Sequence, residues 1–274
     1  MIVRHRCGDT TIFALTDAEG PFFRPREQAF PQADTEQWRM ADTTDPDAVT
    51  ADGRWWLKFR AFAIRHEDTG SVTMVDAGIG PSDSLAADWA PVPGRLPAEL
   101  AAAGIDPADV DTVVLTHLHT DHVGWAVVGD PGRPYFRNAA YLLPAADLAA
   151  VDTDSPRLRD RLVTPLRDSG RLHALDGETT VSSRVSVVPT PGHTPGHHSV
   201  LVRAGDELVA VTGDVLVHTI QLLYPELGYA LEDDPLTARH SRRALLDRVR
   251  RADGLIATPH LTEPFLPVRA VPDA

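Results

Sequence analysis

Apolar and polar residues alternate over Ile2–Arg6, Thr11–Leu15 and, most strongly, Trp55–His66, a period that predicts strands. A turn at Glu67–Gly70 leads into Ser71–Val75, so these last two strands form a hairpin. Asp111–Leu115 is short, nearly all apolar and bounded by acidic turn residues, which suits a buried central strand. Further strands are predicted over Leu172–Leu175, Val185–Val188, Ser199–Val202, Leu208–Thr212 and Gly254–Ala257.

Helical spacing predicts helices over Leu96–Ala103, ended by Gly104, and over Leu142–Val151 and Pro156–Leu166. The clearest amphipathic helix is Pro235–Arg251, with Leu236, Leu245, Leu246 and Val249 on its apolar side. Asp233 or Asp234 can cap its N-terminus, and Arg248, Arg250 and Arg251 suit its C-terminal dipole. Residues 17–54 break the pattern. They are rich in Pro, Asp, Thr and Arg, with a short helix expected near Asp34–Met40, and irregular segments of this length are usually functional. No repeat or linker divides residues 1–274, so one domain is expected, with 17–54 beside a pocket or a dimer interface.

Histidine and aspartate gather where predicted strands end. His117-Leu118-His119-Thr120-Asp121-His122 follows Asp111–Leu115 directly. In an extended segment residues two apart point the same way, so His117 and His119 can share one cation, and Asp121 and His122 in the next turn can serve another. Crowded imidazoles and a carboxylate have little structural use, because burying them without a counterion is costly. A lone His193, Asp214 or His260 is more often a turn or hydrogen-bonding residue. Beside the first cluster they change meaning. His193 lies in Pro191-Gly192-His193-Thr194-Pro195-Gly196-His197, Asp214 in Thr212-Gly213-Asp214 and His260 in Thr258-Pro259-His260, each after a predicted strand.

Composition narrows the partners. A net charge of −13 repels phosphate backbones and anionic membranes, so neither nucleic acid nor a membrane is expected as a partner. With Cys7 as the one cysteine, neither an internal disulfide nor a cysteine-based zinc site can form. The N-terminus has no apolar core of a signal peptide, and no run approaches membrane-spanning length, so a cytoplasmic protein is expected.

The ordered set of His117, His119, Asp121, His122, His193, Asp214 and His260 resembles the metallo-β-lactamase superfamily, as does the early turn Val75-Asp76-Ala77-Gly78. The match spans about residues 56–262. The resemblance implies an α/β fold of the αββα sandwich type with two metal ions at one edge, zinc before iron or manganese. Metal 1 would be held by His117, His119 and His193, and metal 2 by Asp121, His122 and His260, with Asp214 bridging them. Asp76 would support the ligands through hydrogen bonds. Oxygen-reducing diiron members carry a glutamate where this chain has His119, which disfavours redox chemistry of that kind.

Within the superfamily the chain resembles acyl-homoserine lactonases and methyl-parathion-type hydrolases, in length, in the stretch from Gly213 through His218 to Pro225-Glu226, and in the long helix before His260. The implied reaction is attack by a hydroxide shared between two cations ~3.5–4 Å apart, with Asp121 taking and returning a proton. An ester or lactone of a hydrophobic small molecule is the expected substrate. A phosphotriester or acyl thioester on the same centre, and an iron-dependent sulfur dioxygenase, are the competing readings. Many lactonases of this branch carry a tyrosine three residues after the bridging aspartate. That position is Val217 here, and Tyr224 is the nearest replacement. Trp125, His218 and Leu222 are the other expected pocket residues, with Phe22, Phe23, Phe30, Trp38, Trp55 and Trp56 available from the N-terminal segment. The resemblance also makes a homodimer an expected assembly.

Overall fold

The computed structural model describes residues 2–268. Two mixed sheets face each other. The first has seven strands in the order β1 (Val3–Cys7), β2 (Thr10–Pro21), β3 (Trp56–His66), β4 (Val72–Val75), β5 (Val110–Val114), β8 (Ala140–Pro144) and β9 (Leu172–Leu175). A small hairpin, β6 (Val127–Val128) with β7 (Arg133–Pro134), stands apart from it. The second sheet has six strands in the order β10 (Thr179–Thr180), β11 (Val185–Pro189), β12 (His198–Ala204), β13 (Glu207–Val211), β14 (Leu255–Ala257) and β15 (Phe265–Pro267).

Strand periodicity makes the layers. Ile12, Ala14, Phe62, Ile64 and Val114 point to the second sheet, where Val187, Val200, Val202, Val209 and Val211 meet them. Their alternates Phe13, Leu15, Ala61, Ala63 and Val113 point outward and are covered by Leu96, Leu100, Leu148, Val151 and Leu166 from helices. Leu201, Ala210 and Ile256 on the far side of the second sheet pack on Leu245, Leu246 and Val249 of the Pro235–Arg251 helix. The order is helix, sheet, sheet, helix, the αββα sandwich expected. Each fully buried aliphatic or aromatic side chain adds roughly 1.5–3 kcal/mol relative to exposure.

Several expectations are corrected. Leu142 and Leu143 belong to β8, because the apolar run Ala140–Pro144 pairs in parallel with β5 and β9; the helix starts only after Pro144, at Ala145. Residues 17–54 are more ordered than expected. Strand β2 continues through a bulge between Thr16 and Ala18 to Pro21, and a helix spans Thr35–Thr44. Asp34 caps that helix through a reciprocal bond with Gln37, a capping box. Leu236 is 70% exposed, since it lies in the first turn of its helix, before the packed face begins. Asp234 is the N-cap there, accepting from Leu236 N and Thr237 N. Among the described residues no helix is long and apolar enough to cross a membrane.

The sheet directions position the site. Strands β4 and β5 run parallel, as do β13 and β14, and β11 runs with β13 because each is antiparallel to β12. In chain order, the loops after β4, β5, β11, β13 and β14 carry Asp76, His117–His122, His193, Asp214 and His260.

Candidate metal centre

Seven side chains converge in two sets. Donor atoms of His117, His119, His193 and Asp214 lie within 4.8 Å of one another, and so do those of Asp121, His122 and His260. Asp214 joins the sets. Its Oδ2 stands 3.3 Å from His193 Nε2 and 3.8 Å from His117 Nε2, while its Oδ1 stands 3.3 Å from His122 Nε2 and 3.2 Å from His260 Nε2. Asp121 Oδ2 lies 3.5 Å from His122 Nε2 and 3.6 Å from His260 Nε2.

These spacings suit shared cations. Donors ~2 Å from a tetrahedral zinc ion stand ~3.3 Å from one another. His193 Nε2 and His119 Nδ1 are 3.0 Å apart, two ring nitrogens of neighbouring imidazoles aimed at the same space. His117 Nε2, His122 Nε2 and Asp214 Oδ1 are buried polar atoms without a hydrogen-bond partner among the described residues, an arrangement expensive unless something else satisfies them.

The electrostatics agree. Burial lowers the pKa of an imidazole. It dominates at His117 and His193, which are held well below the ordinary histidine value, with neighbouring imidazoles adding to it. At His122 and His260 burial is outweighed by Asp214 and Asp121, and both are raised. Burial would raise the Asp214 carboxyl, but His122, His260 and His193 hold it well below the carboxylate range. Asp214 thus stays ionised among the imidazoles that surround it.

Surrounding bonds orient the donors. Asp76 sits at φ +62, a conformation rare outside glycine, and its carboxylate accepts from Thr116 N (2.8 Å) and Thr116 Oγ1 (3.0 Å) and pairs with His122 Nδ1 (2.8 Å). His117 Nδ1 meets Thr116 Oγ1 at 3.0 Å, and His260 Nδ1 donates to Lys58 O at 2.8 Å. His197, at the end of the Pro191–His197 loop, has its pKa pushed down to about 3 by burial. Its Nδ1 donates to Thr190 O and its Nε2 accepts from Asp214 N at 2.9 Å, which aims the shared carboxylate. Gly213, at φ +52, is required at this turn, because a Cβ would lie 2.6 Å from His197 Nε2.

The centre lies at the base of a cleft of about 930 Å³. Phe22, Phe23, Trp55, Leu57, Trp89 and Tyr229 are among its walls. Phe22, Phe23 and Trp55 were anticipated. Phe30 and Trp38 lie buried behind them.

None of the four named pocket residues lines the cleft. Trp125 turns its indole N–H to the buried Asp17 carboxylate, 3.1 Å away, and packs with Tyr135. His218 is enclosed by Phe30, Trp38 and Trp55, caps the next helix through Nδ1, and has its pKa pushed down to about 3 by burial. Leu222 packs on the core beneath the Pro235–Arg251 helix, and Tyr224 ends the Thr219–Leu223 helix among buried aromatics.

Two further wall residues, Trp89 and Tyr229, come from distant segments. Trp89 donates its indole N–H to Thr120 Oγ1 at 3.0 Å, within the His117–His122 segment. Tyr229 lies parallel to the His193 ring, at 9° and 6.1 Å between centroids, and its hydroxyl has no hydrogen-bond partner among the described residues. Burial, with Asp214 and Asp121 nearby, raises its pKa well above the ordinary value, so the phenol keeps its proton. Neither residue lies beside a ligand in sequence, so no local signal marks it.

A family described as the metallo-beta-lactamase superfamily matches residues 60–260. An N-acyl homoserine lactonase of Bacillus sp is 26% identical over 136 residues, which cover 48% of this chain and 50% of that protein. The chain thus spans about half the length of this curated relative. In fold, the chain is similar to a crystal structure of the hydrolase AbOPH of the beta lactamase superfamily, with TM-score 0.77, 24% identity and coverage of 96% of this chain and 91% of the other. It is equally similar to AidC, described as a dizinc quorum-quenching lactonase, with TM-score 0.77, 20% identity and the same coverages.

Proposed function

From the premise that this chain belongs to the metallo-β-lactamase superfamily, as the match over residues 60–260 shows, we propose that it is a dinuclear metal hydrolase opening an ester or lactone of a hydrophobic small molecule. One observation carries the reading: a single carboxylate, Asp214, turns one oxygen to each of two histidine sets at the base of an aromatic cleft. His117, His119 and His193 would hold one ion, Asp121, His122 and His260 the other, with Asp214 shared. Imidazole and carboxylate donors suit zinc, the ion put first here, and also serve iron and manganese. Two such ions, when bound, act as Lewis acids toward a carbonyl oxygen and lower the pKa of a bound water.

The chain's own groups do the rest. Asp121, at the cleft end of its set, holds the proton released by the attacking water and returns it to the leaving alkoxide oxygen. Tyr229 Oη donates a hydrogen bond to the carbonyl or leaving oxygen, in place of a tyrosine at position 217 or Tyr224. Trp55, Phe22, Trp89 and Leu57 bury the apolar part of the substrate and exclude water from the reacting bond.

The test is metal quantification on the purified chain, then a panel of lactones, aryl esters, thioesters and phosphotriesters. Two zinc ions per chain and highest kcat/KM on a lactone or aryl ester are expected. One iron per chain with oxygen consumption would replace this reading with a sulfur dioxygenase. A phosphotriester or thioester as best substrate would keep the centre and change the bond cleaved.

Tyr229→Phe removes one hydrogen bond to a charge that develops in the reaction, worth about 1.5–3 kcal/mol, so kcat/KM on the best substrate is expected to fall ~10–100-fold with metal content unchanged. Unchanged rates for all accepted substrates would remove Tyr229 from the mechanism.

A further inference from the structure

Asp147 is a buried carboxylate with no part in the chemistry above. It lies in the first turn of the Ala145–Asp154 helix and is 3% exposed. Its Oδ2 accepts from Leu118 N at 3.3 Å and from Thr194 Oγ1 at 2.9 Å, and its Oδ1 accepts from Gly196 N at 2.7 Å. Leu118 separates His117 from His119, and Thr194 follows His193. One carboxylate therefore ties together the two loops that supply the first histidine set.

The docking is close. A Cβ on Gly196 would lie 2.8 Å from both Asp147 N and Oδ1, so the His193 loop rests directly on this helix start. Among the described residues no cation pairs with Asp147, and burial raises its carboxyl while the bonds from Thr194 and Gly196 oppose that. A charge kept in such a place with three donors aimed at it is costly to bury, and its bonds all run to metal-site loops.

The second set has other supports. His122 rests on Asp76 and His260 on Lys58 O. The buried Arg60 guanidinium donates to the carbonyls of Thr258, Leu261 and Thr262, which clamps the loop carrying His260. No hydrogen bond links Asp147 to Arg60 or Asp76 among the described residues.

We propose that Asp147 is the positioning residue of the His117, His119 and His193 set, and that the two sets are held by separate scaffolds, so that metal affinity can be lost at one and kept at the other. This rests on the dinuclear reading. Within it, Asp147→Asn turns one acceptor into a donor facing N–H or O–H groups, and displaces His193 relative to His119.

The experiment is calorimetric titration of the metal-free chain with zinc, beside the melting temperature of each metal-free variant. Wild type is expected to show two binding events. Asp147→Asn is expected to weaken one of them ~10–100-fold and leave the other within threefold, the size of effect that outer-shell partners of metal ligands carry. Arg60→Met is expected to weaken the other event. Added to His119→Ala, which already breaks the first set, Asp147→Asn changes affinity no further; added to His260→Ala it does. Should Asp147→Asn fail to fold, Thr194→Val removes one of the three donors and is expected to weaken the same event several-fold. Equal weakening of both events, or of neither, overturns the proposal while the dinuclear reading stands. A wild-type chain that binds no metal overturns both.

Discussion

Asp214→Ala is expected to lower kcat/KM by ~10³-fold or more and to reduce bound metal below two ions per chain. Among the described residues the carboxylate is the one acid facing both histidine sets, with oxygens 3.2–3.3 Å from His122, His193 and His260. Alanine removes a donor from each set and leaves imidazoles crowded without the charge that balanced them. A Lewis-acid centre contributes several kcal/mol to the transition state; ~4 kcal/mol is a thousandfold in rate. Elemental analysis and steady-state kinetics on the substrate found in the panel measure the two effects together. Two ions per chain and a rate within tenfold of wild type would show that Asp214 is not shared.

Arg242→Ala is expected to cost about 3–5 kcal/mol of stability, the range for breaking a buried ion pair by removing one partner. Arg242 is fully buried on the Pro235–Arg251 helix. Its guanidinium donates to Glu232 at 2.8 Å and to the carbonyls of Val215, Leu227 and Pro225 at 2.9–3.0 Å. Glu232 in turn accepts from Tyr229 N at 3.1 Å, so the pair shapes the loop that carries the cleft tyrosine. A chain of this size loses ~2–4 °C per kcal/mol, so the melting temperature is expected to fall by roughly 10 °C. Adding Glu232→Gln to Arg242→Met relieves the unpaired charge and is expected to recover part of it. A shift under ~2 °C for Arg242→Ala would mean that water or relaxation satisfies Glu232.

The fold was largely legible because strands and the Pro235–Arg251 helix announce themselves by period. The errors fell where period is ambiguous. Leu142 and Leu143 satisfy either spacing, and only pairing with β5 and β9 decides for strand. The bulge after Thr16 changes which side chains of β2 face inward, so its continuation to Pro21 carries no clean alternation.

By itself the sequence determined most strands and the Pro235–Arg251 helix by period and set His117, His119, Asp121, His122, His193, Asp214 and His260 just after predicted strands, while the αββα layering came from the family that this ordered set resembles. Local order places such groups without knowledge of the rest of the chain. Tertiary structure alone decided the cleft. Trp125 follows the donors closely in sequence, yet the turn swings it to Asp17, while Trp89 and Tyr229 arrive from distant loops. Wall residues are chosen by which segments pack across the site, and that packing leaves no period and no spacing to read. The segment His117–His122 marks the candidate metal centre. The walls of the cleft above it were settled by loops folded over it, that of Tyr229 among them, held by the buried Arg242.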